Sequence, residues 1–298
     1  MRFQTESSAP LTPTTREIRD ARPTRQPVPL IHVRASVPAG VSSPCSCCRL
    51  KAMCIQGLSD GDMQEMNQLL MGRRKVHKGD SLFLQGEPLI SLHAVRLGCF
   101  KSSMMLSDGT EHVTGFAFTG DLLGFDALGT DVHSTTATAL EDSEACVLSY
   151  DAFLTMPSNA RWGLRRRMHR MLGAELTREH WLMTLVAHTN SEPRVAAFLL
   201  LLSQRMRERG FSSTEFNLRM SRAEIGSYLG LTLESISRAL SAFADRGLIE
   251  VRGRQLRLLD PEGIARVSES ALPGSSLGFA HWESPTRSGP DVHPPLQA

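Results

Sequence analysis

No apolar run in this 298-residue sequence approaches the roughly 20 residues needed to cross a bilayer. The N-terminus, MRFQTESSAP, also lacks the apolar stretch of a secretory signal. Both absences point to a cytosolic (cytoplasmic) chain with no membrane partner. Net charge is nearly absent too: +2 overall neither demands nor excludes a nucleic acid, so sign has to be read locally. Between Lys101 and Arg161 there is no Lys or Arg at all, while nine Asp and Glu fall in the interval. An anionic ligand buried there would have no cation to pair with. Cysteine is scarce, six in all, yet four of the six fall within the eleven residues PCSCCRLKAMC, Pro44 to Cys54. In a reducing compartment such clustering signals metal ligands or redox thiols rather than structural disulfides. The stretch lacks a flanking Gly-rich turn or catalytic signature, so an enzyme is not expected.

What is present divides the chain. A hydrophobic content of 41% is enough for real cores in two domains. Residues 1–40 are rich in Pro, Thr, Ser and Arg without apolar periodicity and read as a disordered extension, and 268–298 reads the same. Within 41–160, which begins with the cysteine-rich segment, short apolar runs alternate with turn signals such as HKGD, QGEP, LSDGT and TGDLLG. That is the pattern of short antiparallel strands in a roll or sandwich. Helical spacing takes over at Arg161, filling 161–190 with one long helix and most of 191–267, apart from strand-like pieces at FNLRM and LIEVRGRQLRLL. The expected fold class is α+β: a β-roll of jelly-roll type, a long helix and a mostly helical C-terminal domain.

The C-terminal domain carries the clearest mechanical signal. In MSRAEIGSYLGLTLESISRALSAFADRGLIEVRG, Ser221 and Glu224 have capping-box spacing, and the helix they open stops near Gly230. Thr232 caps a second helix that runs to Gly247. Two short helices joined by a tight Gly turn and followed by a hairpin predict a winged helix-turn-helix. Ile225, Leu229, Ile236 and Leu240 face inward, which leaves Glu234, Ser237 and Arg238 on the exposed front of the second helix. Arg offers a fork to guanine, Glu accepts from the cytosine amino group, and Ser bonds a base or a phosphate. Upstream, RWGLRRRMHRMLGAELTREHWLMTLVAH places Met168, Leu172, Leu176, Met183 and Val186 at near-heptad spacing, which predicts one long helix with an apolar seam. A core-facing helix has a similar stripe; paired with its own copy, the helix would present two reading helices to a two-fold operator.

Together these features resemble the cAMP-receptor-protein superfamily, and within it the FNR branch of oxygen-responsive regulators. The resemblance covers about residues 45–267 and rests on GDLLGFDALG, on RGFSSTEFNLRMSRAEIGSYLGLTLESISR and on the spacing C-x2-C-x5-C. It implies a cyclic-nucleotide-binding-like roll, a homodimer formed through the long helix, and an oxygen-labile [4Fe–4S] cluster held by Cys45, Cys48, Cys54 and Cys146, the last in ALEDSEACVL. Soft thiolate ligands suit iron in such clusters. It also implies that Glu179, beside the seam, opposes dimerisation by like-charge repulsion. The operator would be a TTGAT-N4-ATCAA palindrome, and the genes controlled those of anaerobic or microaerobic metabolism. Contacts with RNA polymerase would fall at Gly109 in LSDGTE and near Phe211, although Thr110 departs from the acidic residue that close relatives carry in that loop. Where the cyclic-nucleotide branch has its phosphate-binding Arg and Ser, this chain has GTDVHSTTATALE, with no Arg, so no cyclic nucleotide is expected. Leu233 stands where the cAMP-responsive branch reads a further guanine with Arg, which disfavours a TGTGA half-site.

The cysteine cluster still admits other chemistry. A structural zinc site would use the same four thiolates, and a disulfide-forming redox sensor would need no metal. Cys47 falls where the spacing needs no ligand, yet it can stand in for Cys45 or Cys48. Cys99, in RLGCFKS, reads as a small buried strand residue. His93, His112 and His133 read as solvated surface histidines.

Overall fold

A computed structural model of the protein describes Cys48 and residues 60–156, 162–188 and 190–269. Cys45, Cys47 and Cys54, the predicted N-terminal extension and nearly all of the C-terminal one lie outside these residues. Helix α1 (Asp60–Leu69) leads into the strands β1 (Leu70–Val76), β2 (Ser81–Phe83), β3 (Ser91–Leu97), β4 (Cys99–Met105), β5 (Glu111–Phe118), β6 (Leu122–Leu123), β7 (Thr136–Ala139) and β8 (Ser143–Ser149). They form two antiparallel four-stranded sheets, ordered β1-β8-β3-β6 and β2-β7-β4-β5. Alternation along the strands sends Val76, Phe83, Val95, Phe100, Ala137 and Ala145 into the space between the sheets. Gly98 turns β3 into β4 at φ 94°, and a Cβ there would lie 2.1 Å from Ser143 Oγ, so both conformation and space require glycine.

The outer faces of the two sheets have different tenants. On the first, Leu92, Ala94, Cys146 and Leu148 are covered by Met66 and Leu69 of α1 and by Leu164 and Met168 at the start of the long helix α3 (Trp162–His188). Between β8 and α3 lies α2 (Tyr150–Thr155), capped by the Ser149 hydroxyl, which accepts from Ala152 N at 3.1 Å. On the second, Cys99, Val113, Phe116, Phe118 and Leu140 join one continuous core with α4 (Ser191–Glu208) and the C-terminal domain. That domain comprises β9 (Glu215–Asn217), α5 (Arg222–Leu229), α6 (Leu233–Asp245), the hairpin β10 (Ile249–Arg252) and β11 (Gln255–Leu258), and α7 (Pro261–Glu269). The predicted winged helix-turn-helix is therefore present, and the FNLRM piece pairs β9 with β11.

Polar contacts fix the seating of this domain. Val113 N donates to Ser227 Oγ of α5 at 2.8 Å, and Lys101 pairs with Glu224 at 3.4 Å. Arg205, buried on α4, donates to the Phe116 carbonyl at 2.8 Å, pairs with Asp121 and lies over the Phe118 ring. Arg209 reaches the same carboxylate at 2.6 Å and the Thr119 carbonyl at 2.7 Å. A buried guanidinium is tolerated only when its charge and donors are met, and Asp121 meets two at once. Among the described residues no helix is long and apolar enough to cross a membrane.

Candidate nucleic-acid interface and cysteine site

The reading helix is built from local signals. Ser221 Oγ accepts from Glu224 N while the Glu224 carboxylate accepts from Ser221 N at 2.7 Å, so the capping box closes in both directions. Gly230 ends α5 in the left-handed region at φ 62°. Gly226 permits the tight turn, because a Cβ would lie 2.6 Å from the Leu231 carbonyl oxygen. Thr232 then caps α6 by accepting from Ser235 N at 3.2 Å. Ile225, Leu229, Ile236 and Leu240 are all buried, which anchors α6 with one face outward. Leu233, Glu234 and Arg238 are exposed on that face, and Ser237 is half-buried between them. The Glu234 carboxyl is held below the usual carboxylate range by backbone N–H at the helix start and by Thr232. It is therefore an ionised acceptor.

The structure adds a residue that sequence reasoning missed. Arg222, exposed in the first turn of α5, donates from Nη1 to Ser237 Oγ at 3.1 Å. It spans the two helices and stands beside the reading face, where a cation suits a phosphate. No local signal marks it, because the contact depends on the angle between α5 and α6. Arg254, exposed in the turn between β10 and β11, puts a further cation on the wing.

The cysteine site forms on the outer face of the first sheet. Cys146 sits in mid-β8, 8% exposed, opposite Arg73 on β1 and Ala94 on β3. Cys48 lies close enough to act on it electrostatically, and both thiols are free. Burial pushes the Cys146 thiol above its usual range, opposed by Arg73, which donates to the sulfur, and by Arg96. Cys48 also lies beside Arg96. Two sulfurs from distant parts of the chain thus share a cationic surrounding. Soft donors and positive neighbours fit an anionic thiolate metal group; Cys45 and Cys54, the other two expected ligands, lie outside the described residues. Among the described residues no group of three or more His, Cys, Asp or Glu is arranged to hold a metal. Cys99 is elsewhere, fully buried in the core of the second sheet, as its strand reading predicted.

A cavity of about 520 Å³ lies between the roll and α3, lined among others by Phe83, Met104, Asp126, Thr135, Leu172 and Glu179. Its polar end is internally satisfied. Asp126 accepts from Thr135 N and Thr135 Oγ1, both at 3.0 Å, and contacts His133 Nδ1 at 3.2 Å. The cations lining the cavity are engaged too: Arg178 with Glu175, and Arg205 and Arg209 with Asp121. His93 and His133 correct the sequence reading: both are buried, His133 stacked on Phe83 with centroids 3.8 Å apart. Burial, then Arg74 and His133, lower the His93 pKa to about 3.

Along α3 the predicted seam residues part company. Met168 is buried in the chain's own core, and Leu172 and Glu179 line the cavity half-buried. Leu176 and Met183 stand 60% and 59% exposed. With exposed Gly173, His180 and Ala187 they make a stripe of heptad spacing. The Glu179 carboxyl is raised by burial first and Glu175 second, so its charge is disfavoured where it sits. Gly109 tops the exposed β4–β5 turn at φ 85°, and Phe211 is exposed after α4.

Comparison with known proteins matches both halves. A family profile described as "Crp-like helix-turn-helix domain" fits residues 193–267, and one described as "Cyclic nucleotide-binding domain" fits 73–159. The transcriptional regulatory protein btr of Bordetella pertussis is 39% identical over 224 residues, covering 75% of this chain and 92% of that protein. The fumarate and nitrate reduction regulatory protein of Escherichia coli is 35% identical over 237 residues, covering 79% of this chain and 94% of that protein. Among solved structures, FixK2 of Bradyrhizobium japonicum aligns with a TM-score of 0.59 at 27% identity, over 66% of this chain and 96% of that one.

Proposed function

Because the chain belongs to the CRP/FNR family of DNA-binding transcriptional regulators and is not an enzyme, we propose that it is an oxygen sensor that binds its operator as a homodimer. Cys45, Cys48, Cys54 and Cys146 would hold a [4Fe–4S] cluster, which when bound supplies an oxygen-labile link between the N-terminal cysteine segment and β8. The observation that carries this reading is the meeting of Cys48 and Cys146 beside Arg73 and Arg96. The cysteine face of the roll shares one apolar core with the start of α3, through Leu164 and Met168. A tie made at Cys146 therefore bears on the helix whose exposed Leu176 and Met183 would meet a second copy. Glu179 beside that stripe makes the pairing poised rather than permanent, since two approaching carboxylates repel.

In the dimer, two copies of α6 would read a TTGAT-N4-ATCAA palindrome upstream of genes for anaerobic or microaerobic metabolism. Arg238 would fork to guanine, Glu234 accept from cytosine and Ser237 touch the neighbouring thymine. The turn at Gly109 and the segment at Phe211 would meet RNA polymerase. No cyclic nucleotide is needed: Asp126 occupies the donors at the end of the cavity. A thiol-based or zinc-stabilised regulator is the second reading, favoured by the same proximity of Cys48 and Cys146. Anaerobic absorbance with iron and zinc analysis separates them. A brown protein containing iron and sulfide is expected; a colourless one would leave the thiol reading, or the zinc reading if zinc is bound.

A further inference from the structure

Arg96 is the extra residue of a bulge between Val95 and Leu97, where the register of β3 against β8 slips. A bulge re-aims a side chain. Here the guanidinium points to the start of β8: Nη1 pairs with Glu144, two residues before Cys146, and Cys48 lies beside it. Its Nε is buried and has no hydrogen-bond partner among the described residues. Such a donor costs free energy unless a group from elsewhere accepts from it. On the other flank Arg73 stands opposite Cys146. Among the described residues, Arg73 and Arg96 are the cations acting on Cys146, and Glu144 is the carboxylate paired with the second of them.

We propose that Arg96 and Glu144 form a charge dial for the cluster, Arg96 protecting it from oxygen and Glu144 limiting that protection. This rests on the cluster reading above. Loss of an electron to dioxygen would make a bound tetrathiolate cluster less anionic. A neighbouring cation opposes that loss and a neighbouring carboxylate favours it. Substitutions at the two positions should then act with opposite sign, whereas breaking an ion pair of purely structural value would harm both variants alike.

The test uses the full-length protein, reconstituted anaerobically with iron and sulfide, as wild type, Arg96→Gln, Arg96→Lys and Glu144→Gln. Visible absorbance is followed after mixing with air-saturated buffer, and the reduction potential is measured. Arg96→Gln should lose its colour about threefold faster or more, Glu144→Gln slower by a similar factor, and Arg96→Lys near the wild-type rate. The potential should fall in Arg96→Gln and rise in Glu144→Gln. A coloured wild type with equal decay in all four, or faster decay in both Arg96→Gln and Glu144→Gln, overturns this inference alone. A colourless wild type overturns the cluster reading and this inference with it. If Arg96→Gln fails to fold, Glu144→Gln still decides, and decay at or above the wild-type rate refutes the dial.

Discussion

Cys99 and Cys146 are both strand residues of one roll, both are buried, and burial pushes both thiols above their usual range. What differs is the company. Cys99 opens β4 with its sulfur 3.9 Å from the Phe100 carbonyl, in a core shared with the C-terminal domain. Cys146 has Arg73, Arg96 and a second cysteine beside it. One sheet face is thus committed to holding the DNA-binding domain in place, while the other keeps charge and sulfur together on a central strand. Chemistry belongs to the neighbours, since the residue type, element and burial are the same.

The largest expected effect breaks that comparison at its two sulfurs. Cys146→Ser should abolish the anaerobic colour and operator binding altogether. Cys99→Ser should keep both and lose only stability, about 1 to 3 kcal/mol for a hydroxyl placed in an apolar core. Absorbance and operator titration on the two proteins side by side check this, and a coloured Cys146→Ser protein would remove that residue from the ligands.

The next effect lies on the Cys99 face. Asp121→Asn leaves Arg205 and Arg209 buried without their shared carboxylate, so stability should drop by about 3 to 5 kcal/mol. Thermal unfolding measures it. A drop below about 1 kcal/mol would mean that solvent reaches the pair and the clamp is weak.

How far the sequence speaks depends on how local the signal is. The capping box, the stop at Gly230, the Thr232 cap and the inward Ile225, Leu229, Ile236 and Leu240 are written within a few residues, and all appear in the fold. The roll was legible from alternation and turns. The surroundings of Cys146 were not, because Arg73 reaches it through a pairing of β1 with β8 that joins distant segments. His93 escaped for a related reason: Leu92 to Val95 are buried on both faces of β3, so alternation assigns no solvated side. Met168 and Leu176 belong to one apolar stripe in the sequence, yet the helix gives the first to its own core and the second to solvent. Periodicity fixes a stripe and leaves open what covers it.

A smaller effect separates reading from sensing. Arg238→Ala should weaken specific binding by about 1 to 3 kcal/mol and relax preference at the G·C pair, with colour unchanged. Arg222→Ala should weaken all sequences alike and lower the salt slope by about one unit, if its contact is to phosphate. Anaerobic titrations on TTGAT-type and TGTGA-type palindromes at fixed salt check both. Equal affinity for the two palindromes would remove α6 as the reader of this half-site.

The smallest effect sharpens the contrast from inside the roll, on the face of β3 that points away from the cysteines. His93 is 6% exposed, with Arg74 and His133 as its charged and titratable neighbours, and its pKa is lowered to about 3. Native His93 is therefore neutral at every physiological pH, whereas in the unfolded chain it gains a proton below its ordinary value of about 6.5. The unfolded state binds more protons in that window, so the stability His93 permits is complete above about pH 6.5 and is lost progressively as pH falls toward 3. At pH 5 the loss from this residue alone should be about 2 kcal/mol relative to pH 8. Urea unfolding of the cluster-free protein at the two pH values measures it without interference from the cysteine site. His93→Gln should flatten the slope by that amount, because an amide does not titrate, even if its stability at pH 8 is lower. An unchanged slope would place the acid sensitivity with other groups and show that His93 is solvated when the roll is folded.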